Sequence, residues 1–404
     1  MDLPSGDEKK AKVEYTAQAK SQIVNGEVKM RIGDRSFTAA TTFDTAEVFF
    51  VDINAIEFAD YVITVRTDDG DYVFSRMGQW AQPFYDELCA AYNKLVMRAF
   101  FVSGKPVITA NGDYRFAEHT AVSGKASVAV YENCVVVTPP NINARRIPLC
   151  FATGMDKGAH ELTLKLSSGE AYTLSKLGYD TSILSETIEN NIRALREKTL
   201  AALKEFDLTL STVQASKLAN MIPEGVAAPI GQLASVAPSF VAAVEKKMAK
   251  TRAAESYDVF KEMCDPAKIW VGFKKNDAPP AEDPEGKEGA EQDPYVFWMI
   301  APSPDGKHAA VEFAVENTAT FVYRIDGDLS KWATLLNRAL EAIGFRREVI
   351  RLTDEELLKP DYADYYMAAK RTPSLQFIRA NFVGRVIHSS PEAWKRKLKE
   401  IWGG

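Results

Sequence analysis

The chain repeats itself at a spacing of about one hundred residues. The segment GEVKMRIGDRSFTAA begins at Gly26, and a segment of the same character, GKASVAVYENCVVVT, begins at Gly124. In the same way, VITVRTDDGDYVFSRMG ends at Gly78 and returns as ELTLKLSSGEAYTLSKLG, which ends at Gly178. Each copy of a duplicated unit must carry its own core and the same order of elements. The duplication therefore predicts two similar units in the first half of the 404-residue chain.

Each unit has the pattern of several short strands followed by one helix. Turn residues such as Asn25-Gly26 separate runs in which apolar and polar side chains alternate, as they do in antiparallel strands. Apolar residues recur at helical spacing in both closing segments: Phe84, Leu88, Tyr92 and Leu95 in the first, and Leu184, Ile188, Ile192 and Leu195 in the second. The face stays apolar while the residues change, which indicates a shared packing role.

This order of elements, in a unit of fewer than a hundred residues, resembles the pleckstrin-homology superfold, which includes PH and GRAM-like domains. The resemblance covers roughly the first half of the chain. It implies two tandem β-barrel or β-sandwich repeats, in which the strands form two nearly orthogonal sheets. It also implies that the last helix of each repeat closes one open end.

The composition changes after the second unit. Residues 207–266 are rich in Ala with helical spacing, and residues 267–404 return to strand-like runs followed by helices. We expect an α+β chain with these parts: a flexible tail at 1–18, repeat 1 at 19–103, repeat 2 at 112–206, a helical connector at 207–266, and a C-terminal antiparallel sheet with helices at 267–404. The acidic, Pro-rich segment 276–294 predicts a disordered loop within that sheet.

The C-terminal half, from IWVGFK to GRVIHSSPEAWKRKL, is similar to the tail of a group of bacterial proteins with pleckstrin-homology-like N-terminal repeats. This resemblance supports the architecture and implies no activity. The sequence contains no P-loop, Rossmann glycine fingerprint, H-E-x-x-H or G-x-S-x-G. No His or Cys pair has the spacing of a structural zinc site. We therefore predict no cofactor and no metal, and no motif identifies a small-molecule ligand.

Charge and cysteine usage narrow the class of protein. The net charge of −6 disfavours a general nucleic-acid binder, because phosphate affinity comes from clustered Lys and Arg. The four cysteines form no C-x-x-C pair, and the start of the chain lacks the apolar core of a signal peptide, so we predict a cytoplasmic protein. The uncharged segment Gly225–Val244 is long enough to span a membrane. Its Ala and Pro content favours two buried helices instead.

Repeat 1 carries a basic pattern that suggests an anionic-lipid site. Lys20, Lys29 and Arg31 match the spacing by which some PH domains hold phosphoinositide head groups on their first two strands. In repeat 2 the positions of Lys29 and Arg31 are taken by Ser127 and Ala129, so the fold does not require basic side chains there. The alternative is a solvated strand face, on which alternating charges are common. Any membrane contact is expected to be peripheral.

A second polar cluster lies near the C-terminus. Arg379, Arg385 and His388 stand close in sequence to Asp361 and Asp364. Two guanidinium groups and an imidazole can bind an anionic group or serve acid and base roles. The alternative is structural, with the arginines paired to carboxylates across helices. The sequence favours the structural alternative.

Phe100 and Phe101 extend the apolar face at the end of the first closing helix beyond what one helix face can bury. We expect both to pack in an interface between the two repeats. With no reacting constellation in the sequence, we predict a non-enzymatic interaction or scaffold protein that binds a protein partner or packs its own domains. The alternatives are an enzyme or small-anion binder centred on Arg379, Arg385 and His388, and weak anionic-lipid binding through repeat 1.

Overall fold

Repeat 1 is built from seven strands and one long helix. The computed structural model describes residues 13–117, 121–251, 253–275, 295–314, 319–325, 327–346 and 348–402. The elements of repeat 1 are β1 (Tyr15–Lys20), β2 (Asn25–Ile32), β3 (Ser36–Ala40), β4 (Thr45–Phe49), β5 (Ile53–Ala59), β6 (Val62–Thr67), β7 (Gly70–Ser75) and α1 (Ala81–Ala99). Strand β1 begins inside the segment 1–18. The prediction of a flexible tail is therefore wrong from Tyr15 onward. The reason is that Tyr15, Ala17 and Ala19 alternate with polar residues and are buried.

Repeat 2 has the same elements in the same order. They are β8 (Ile108–Ala117), β9 (Ala121–Val130), β10 (Cys134–Thr138), β11 (Arg145–Pro148), β12 (Ala152–Lys157), β13 (Glu161–Leu166), β14 (Ala171–Ser175) and α2 (Asp180–Phe206). The strands pair as β4-β3-β2-β1-β7-β6-β5 in repeat 1 and as β11-β10-β9-β8-β14-β13-β12 in repeat 2. Repeat 2 begins at Ile108, ahead of the predicted boundary at 112, because β8 and β9 pair along ten residues.

Both sheets are antiparallel and open, so of the two expected forms of the repeats, β-barrel or β-sandwich, the closed barrel is wrong. Within the described residues, β4 and β5 form the two edges of the first sheet, and β11 and β12 form those of the second. The chain between the two edge strands of each repeat is a single 3₁₀ turn, at Phe50–Asp52 and at Leu149–Phe151. A turn this short can join the two edge strands only if the sheet is strongly curved, so the two edges lie near each other without pairing.

The connector and the C-terminal domain supply the remaining elements. They are α3 (Thr212–Met221), β15 (Ala228–Pro229), α4 (Ile230–Val236), α5 (Pro238–Met248), α6 (Ala253–Met263), β16 (Trp270–Lys275), β17 (Tyr295–Pro302), β18 (His308–Phe313), β19 (Ala319–Arg324), α7 (Leu329–Ala342), α8 (Glu348–Arg351), α9 (Asp354–Leu357), α10 (Ala363–Arg371), α11 (Pro373–Ala380), β20 (Phe382–Ile387) and α12 (Pro391–Trp402). Strand β15 belongs to the predicted connector but pairs with β16, so the connector contributes the edge strand of the third sheet.

The third sheet lies between two helical layers. Its strands are antiparallel in the order β15-β16-β17-β18-β19-β20. Trp298, Val311 and Phe321 share one buried cluster with residues of α7 and α11, whereas Met299 and Val322 share another with residues of α5, α6 and α12. Strand side chains alternate between the two faces, so both faces of this sheet are apolar and buried.

Strands β16 and β17 pair up to Lys275 and Tyr295, the residues that flank segment 276–294. The segment therefore connects two neighbouring strands of one sheet, and its predicted disorder lies outside the described residues. The described helices include none that is both long enough and apolar enough to cross a membrane. Most of the uncharged segment Gly225–Val244 belongs to β15, α4 and the first turns of α5.

Candidate functional site

The basic residues predicted to bind lipid lie on the outer face of repeat 1, where one acidic residue pairs with two of them. The Lys29 ammonium is 2.9 Å from Glu14 Oε1, and Arg31 Nη2 is 2.7 Å from Glu14 Oε2. Hydrogen bonds from Lys29 and Arg31 lower the pKa of the Glu14 carboxyl, so the carboxylate is charged at neutral pH. Lys20 is exposed at the far end of β1, opposite Asn25. The structure therefore pairs Lys29 and Arg31 with Glu14 and leaves Lys20 apart.

The predicted C-terminal cluster is divided among three environments. Arg379, in the last turn of α11, donates to the backbone carbonyl of Val349 and lies 2.7 Å from Asp354 Oδ1. Arg385 is exposed on β20 and is paired in register with Phe321 of β19. His388 follows the end of the same strand and contacts Thr320 and Trp394. Residues 385 and 388 are three apart along an extended chain, so their side chains leave opposite faces.

His388 belongs to a buried polar group on the face of the sheet that α12 covers. Its Nε2 atom is 3.0 Å from Thr320 Oγ1 and 3.3 Å from Glu312 Oε2. The imidazole also stacks on the Trp394 indole, with ring centroids 3.9 Å apart. Glu312 and Thr320 are fully buried and directly opposite each other on β18 and β19. Glu312 was not predicted as a site residue; its sequence signal is a single acidic residue in the apolar strand HAAVEF.

The hydrogen bonds of this group favour a structural role. Thr320 Oγ1 donates to Glu312 Oε2 at 2.7 Å and accepts from Trp394 Nε1 at 2.9 Å. The single hydroxyl proton is therefore directed at the carboxylate. An activated hydroxyl nucleophile would instead donate to the imidazole that acts as its base. The group joins β18, β19 and α12, and two of its members, Glu312 and Thr320, are fully buried.

Phe100 and Phe101 lie in an interface, in which Phe101 contacts the C-terminal domain. Phe100 is buried, and Phe101 is half-buried directly after α1. The Phe101 ring centroid is 5.7 Å from that of Tyr365, and the Arg346 guanidinium lies 4.2 Å from the Phe101 centroid. Both neighbours belong to the C-terminal domain. Phe101 therefore contacts the C-terminal domain, whose α10 packs against α1, and its packing against repeat 2 stays a prediction.

The two repeats contact each other where β5 meets the loop between β10 and β11. Ile56 N donates to the Pro140 carbonyl at 2.8 Å, and Ile142 N donates to the Asn54 carbonyl at 3.0 Å. Asn141 forms a bridge with Ala55 between these two bonds. The loop of repeat 2 thus extends the sheet edge of repeat 1, which satisfies backbone groups that an edge strand leaves free.

Equivalent edge strands of the two repeats have different surroundings. Glu47 and Arg146 are equivalent, because each pairs with the third residue of a five-residue strand, Thr38 of β3 or Val136 of β10. Arg146 is buried against α7, with its Nη1 atom 2.5 Å from Glu341 Oε2. Burial acts to lower the pKa of the Arg146 guanidinium, but the neighbouring groups, of which the Glu341 carboxylate contributes most, together raise it.

Helix α7 also caps the backbone of β11. Arg338 Nη2 donates to the Arg146 carbonyl at 2.8 Å, and Arg338 Nε lies 3.5 Å from Glu170 Oε1. On β4 the corresponding surface faces solvent. Glu47 is exposed and accepts from Ser36 Oγ, and Phe49 keeps 47% of its surface exposed. One edge is therefore an internal interface, and its equivalent is accessible.

A cleft of about 700 Å³ lies between the repeats, and its lining includes Tyr85, Cys89, Asn93, Asp113 and Lys176. Asp113 and Lys176 form an ion pair with each other at 2.5 Å. Burial raises the pKa of the Cys89 thiol to about 12, so the sulfur is protonated at neutral pH and is a poor nucleophile. Neither the thiol nor the ion pair is therefore activated for a reaction.

Neither a metal site nor a known relative identifies a function for this chain. Among the residues that the structure describes, no group of three or more His, Cys, Asp or Glu side chains is arranged to hold a metal ion. No protein-family model matches the chain, and no curated protein matches it in sequence.

Proposed function

We propose that the chain is a non-enzymatic, cytoplasmic interaction protein built on two pleckstrin-homology-like units. The strand order supports this assignment, because each repeat has a four-strand half, a three-strand half and a C-terminal helix in sequence. The open edges are compatible with the two-sheet sandwich of that superfold. The C-terminal domain holds the two units in a fixed arrangement and leaves part of their edges accessible.

Internal contacts support a role in protein binding. Helix α10 packs against the closing helix of repeat 1, and α3 packs against the closing helix of repeat 2. Helix α7 packs against β11. The surfaces of these units that commonly bind peptides or domains, sheet edges and the groove beside the last helix, are thus already used within the chain. Where such an edge or groove is exposed, it is suited to bind a partner protein.

The observation that carries the proposal is the contrast between β11 and β4. The buried Arg146 of β11 meets Glu341 of α7, and the equivalent residue on β4 is the exposed Glu47. A partner helix that carries a basic residue where α7 carries Glu341 would complement Glu47. An apolar residue on the same helix would cover Phe49. We therefore assign β4 as the partner-binding edge.

The test is affinity capture with the intact protein and an edge variant, Glu47→Arg combined with Phe49→Ser. Both side chains are exposed, so the substitutions are expected to leave folding unchanged. The matched control is Tyr179→Ser, which removes an aromatic side chain that is 99% exposed on repeat 2. A partner should bind the intact protein and the control and should be lost from the edge variant.

The captured protein is then purified and titrated against each form by calorimetry. We expect at least about a tenfold loss of affinity for the edge variant, since central interface side chains each contribute more than 1 kcal/mol. Equal binding by all three forms would contradict the assignment of β4. The enzyme alternative has less support, because Arg379 and His388 are engaged in structural contacts. The lipid alternative has less support, because the Glu14 carboxylate pairs with both Lys29 and Arg31 and offsets one of their two charges.

A further inference from the structure

The contact between the two repeats is of a kind that can continue into a second molecule. It joins two different surfaces, the β10–β11 loop of repeat 2 and the β5 edge of repeat 1. Contacts between unlike surfaces leave the complementary surface free at each end of the assembly. Here the free surfaces are the β3–β4 loop of repeat 1, residues 41–44, and the β12 edge of repeat 2.

Strand β12 has the features that let β5 accept a loop. Its pairing with β13 shifts register between Ala152 and Gly154, and the pairing of β5 with β6 shifts at the corresponding place. This correspondence makes Thr153 and Met155 equivalent to Asn54 and Ile56, whose backbone groups bind the loop of repeat 2. Among the described residues, no backbone group outside the second sheet bonds to Thr153 O or Met155 N.

The surface of β12 is also sterically open. Thr153 and Gly154 are exposed, whereas Asn54 and Ala55 are half-buried beneath the loop. A methyl group placed on Gly154 would meet no described atom within 4 Å. The strand can therefore receive both a backbone and an apolar side chain.

The β3–β4 loop presents an apolar side chain that nothing in repeat 1 covers. Phe43 is 94% exposed at the tip of the loop. The loop is held in shape by Thr41, whose Oγ1 atom accepts from Asp44 N at 2.9 Å and whose backbone N donates to the Asp44 carbonyl at 2.8 Å. A side chain of this size on an ordered turn is a typical anchor for an interface.

We infer that a second copy of this chain inserts its β3–β4 loop at the β12 edge of the first. Met155 N of one molecule donates to the Thr42 carbonyl of the next, in the place of the Ile56–Pro140 bond, and Phe43 packs over Gly154. The contact is heterologous, so it can be repeated head to tail from one molecule to the next. The resulting chain of molecules becomes longer as the protein concentration rises. The inference deepens the proposed function and rests on it, because it takes the exposed edges of the repeats to be binding surfaces.

Sedimentation velocity of the intact protein, at protein concentrations up to about 0.5 mM, tests the inference. Complexes with weak interfaces become populated at such concentrations. The intact protein should show a mass that rises with concentration. Phe43→Ser and Met155→Lys should each weaken association about tenfold or more. Tyr179→Ser and the conservative Met155→Leu are the matched controls, and both should associate as the intact protein does.

Mixing the two defective variants separates a heterologous contact from a symmetric one. Phe43→Ser retains a functional β12 edge, and Met155→Lys retains a functional loop, so an equimolar mixture should form dimers and nothing larger. A mixture that stays monomeric, or an intact protein that is monomeric throughout the range, would overturn the inference. Unchanged thermal melting of both variants establishes that they fold. An intact protein that does not self-associate but still binds its partner at β4 would refute this inference alone and leave the proposed function standing.

Discussion

Arg371 and Tyr92 meet at the point where the three parts of the chain come together. Arg371 Nε, from α10, donates to Tyr92 Oη at 3.2 Å, and the Tyr92 hydroxyl donates to the Asn141 carbonyl of repeat 2, also at 3.2 Å. Arg371 Nη2 further donates to the Ile53 carbonyl at 2.6 Å. The C-terminal domain, repeat 1 and repeat 2 thus share one chain of hydrogen bonds, and this chain is buried.

Arg371→Met is expected to lower the free energy of unfolding by about 3 kcal/mol, because it leaves the Ile53 carbonyl and the Tyr92 hydroxyl buried without their donor. Urea denaturation followed by circular dichroism measures the change. Lys370→Met is the matched control. Its ion pair with Asp68 is 3.4 Å long and partly exposed, and such pairs contribute less than about 1 kcal/mol. Equal losses in the two variants would show that Arg371 does not join the three parts.

Glu341→Leu is expected to destabilise the protein by about 3–5 kcal/mol, because the buried guanidinium of Arg146 loses its carboxylate. Arg146→Met combined with Glu341→Leu should recover part of this loss, since no unpaired charge remains. Urea denaturation of the two single variants and the double variant measures the coupling. A double variant whose loss equals the sum of the single losses would mean that the pair does not hold α7 against β11.

Much of the fold could be predicted from the duplication. The spacing predicted two units with the same order of elements, and the Gly-containing turns predicted their antiparallel strands. The start of β1 was missed because Ala17 and Ala19 are only weakly apolar, so their alternation with polar residues gives a weak signal. Closure into a barrel was wrongly expected, because closure depends on pairing between β4 and β5, which local patterns do not encode.

The polar contacts were less predictable, because they join residues far apart in the sequence. Arg379, Arg385 and His388 are neighbours in sequence, but a helix end and strand alternation direct them to different surroundings. Glu341 lies almost two hundred positions from Arg146, and no local rule relates the two. The apolar run predicted that Phe101 packs in an interface, but its contact with Tyr365 depends on the position of α10, which the local sequence does not encode.

Vesicles that contain phosphoinositides test the lipid alternative directly. We expect negligible binding by the intact protein, because the lowered pKa keeps Glu14 charged beside Lys29 and Arg31. Glu14→Gln should raise the affinity about fivefold at low salt, which corresponds to one freed cation near an anionic surface. Co-sedimentation at two salt concentrations measures this effect. Lys29→Ala with Arg31→Ala in the Glu14→Gln background should abolish it. Tight binding by the intact protein would favour the lipid alternative.

Buried thiols predict how stability depends on alkaline pH. Burial raises the pKa of Cys134 and of Cys264 to about 11, and that of Cys89 to about 12. A thiol with a higher pKa in the folded state keeps its proton there while the unfolded chain ionises near pH 8.5. Stability from these groups is therefore complete below about pH 8.5 and decreases as pH rises towards 11.

Urea denaturation between these two pH values measures the decrease, and Cys89→Ala should reduce it because alanine does not titrate. Equal slopes for the intact protein and the variant would contradict burial of the Cys89 thiol.

At pH 8, native Cys134 should react with a thiol reagent much more slowly than the same residue in urea. Equal rates in the two conditions would show that the thiol is accessible.

Amide hydrogen exchange with the captured and purified partner tests the assignment of β4 as a binding edge most directly. The amide groups of residues 45–49 should exchange more slowly in the complex, because a bound helix excludes water from this edge. Those of residues 145–148 should change little, since α7 already covers them. Unchanged exchange at 45–49, with protection elsewhere on the molecule, would contradict the account.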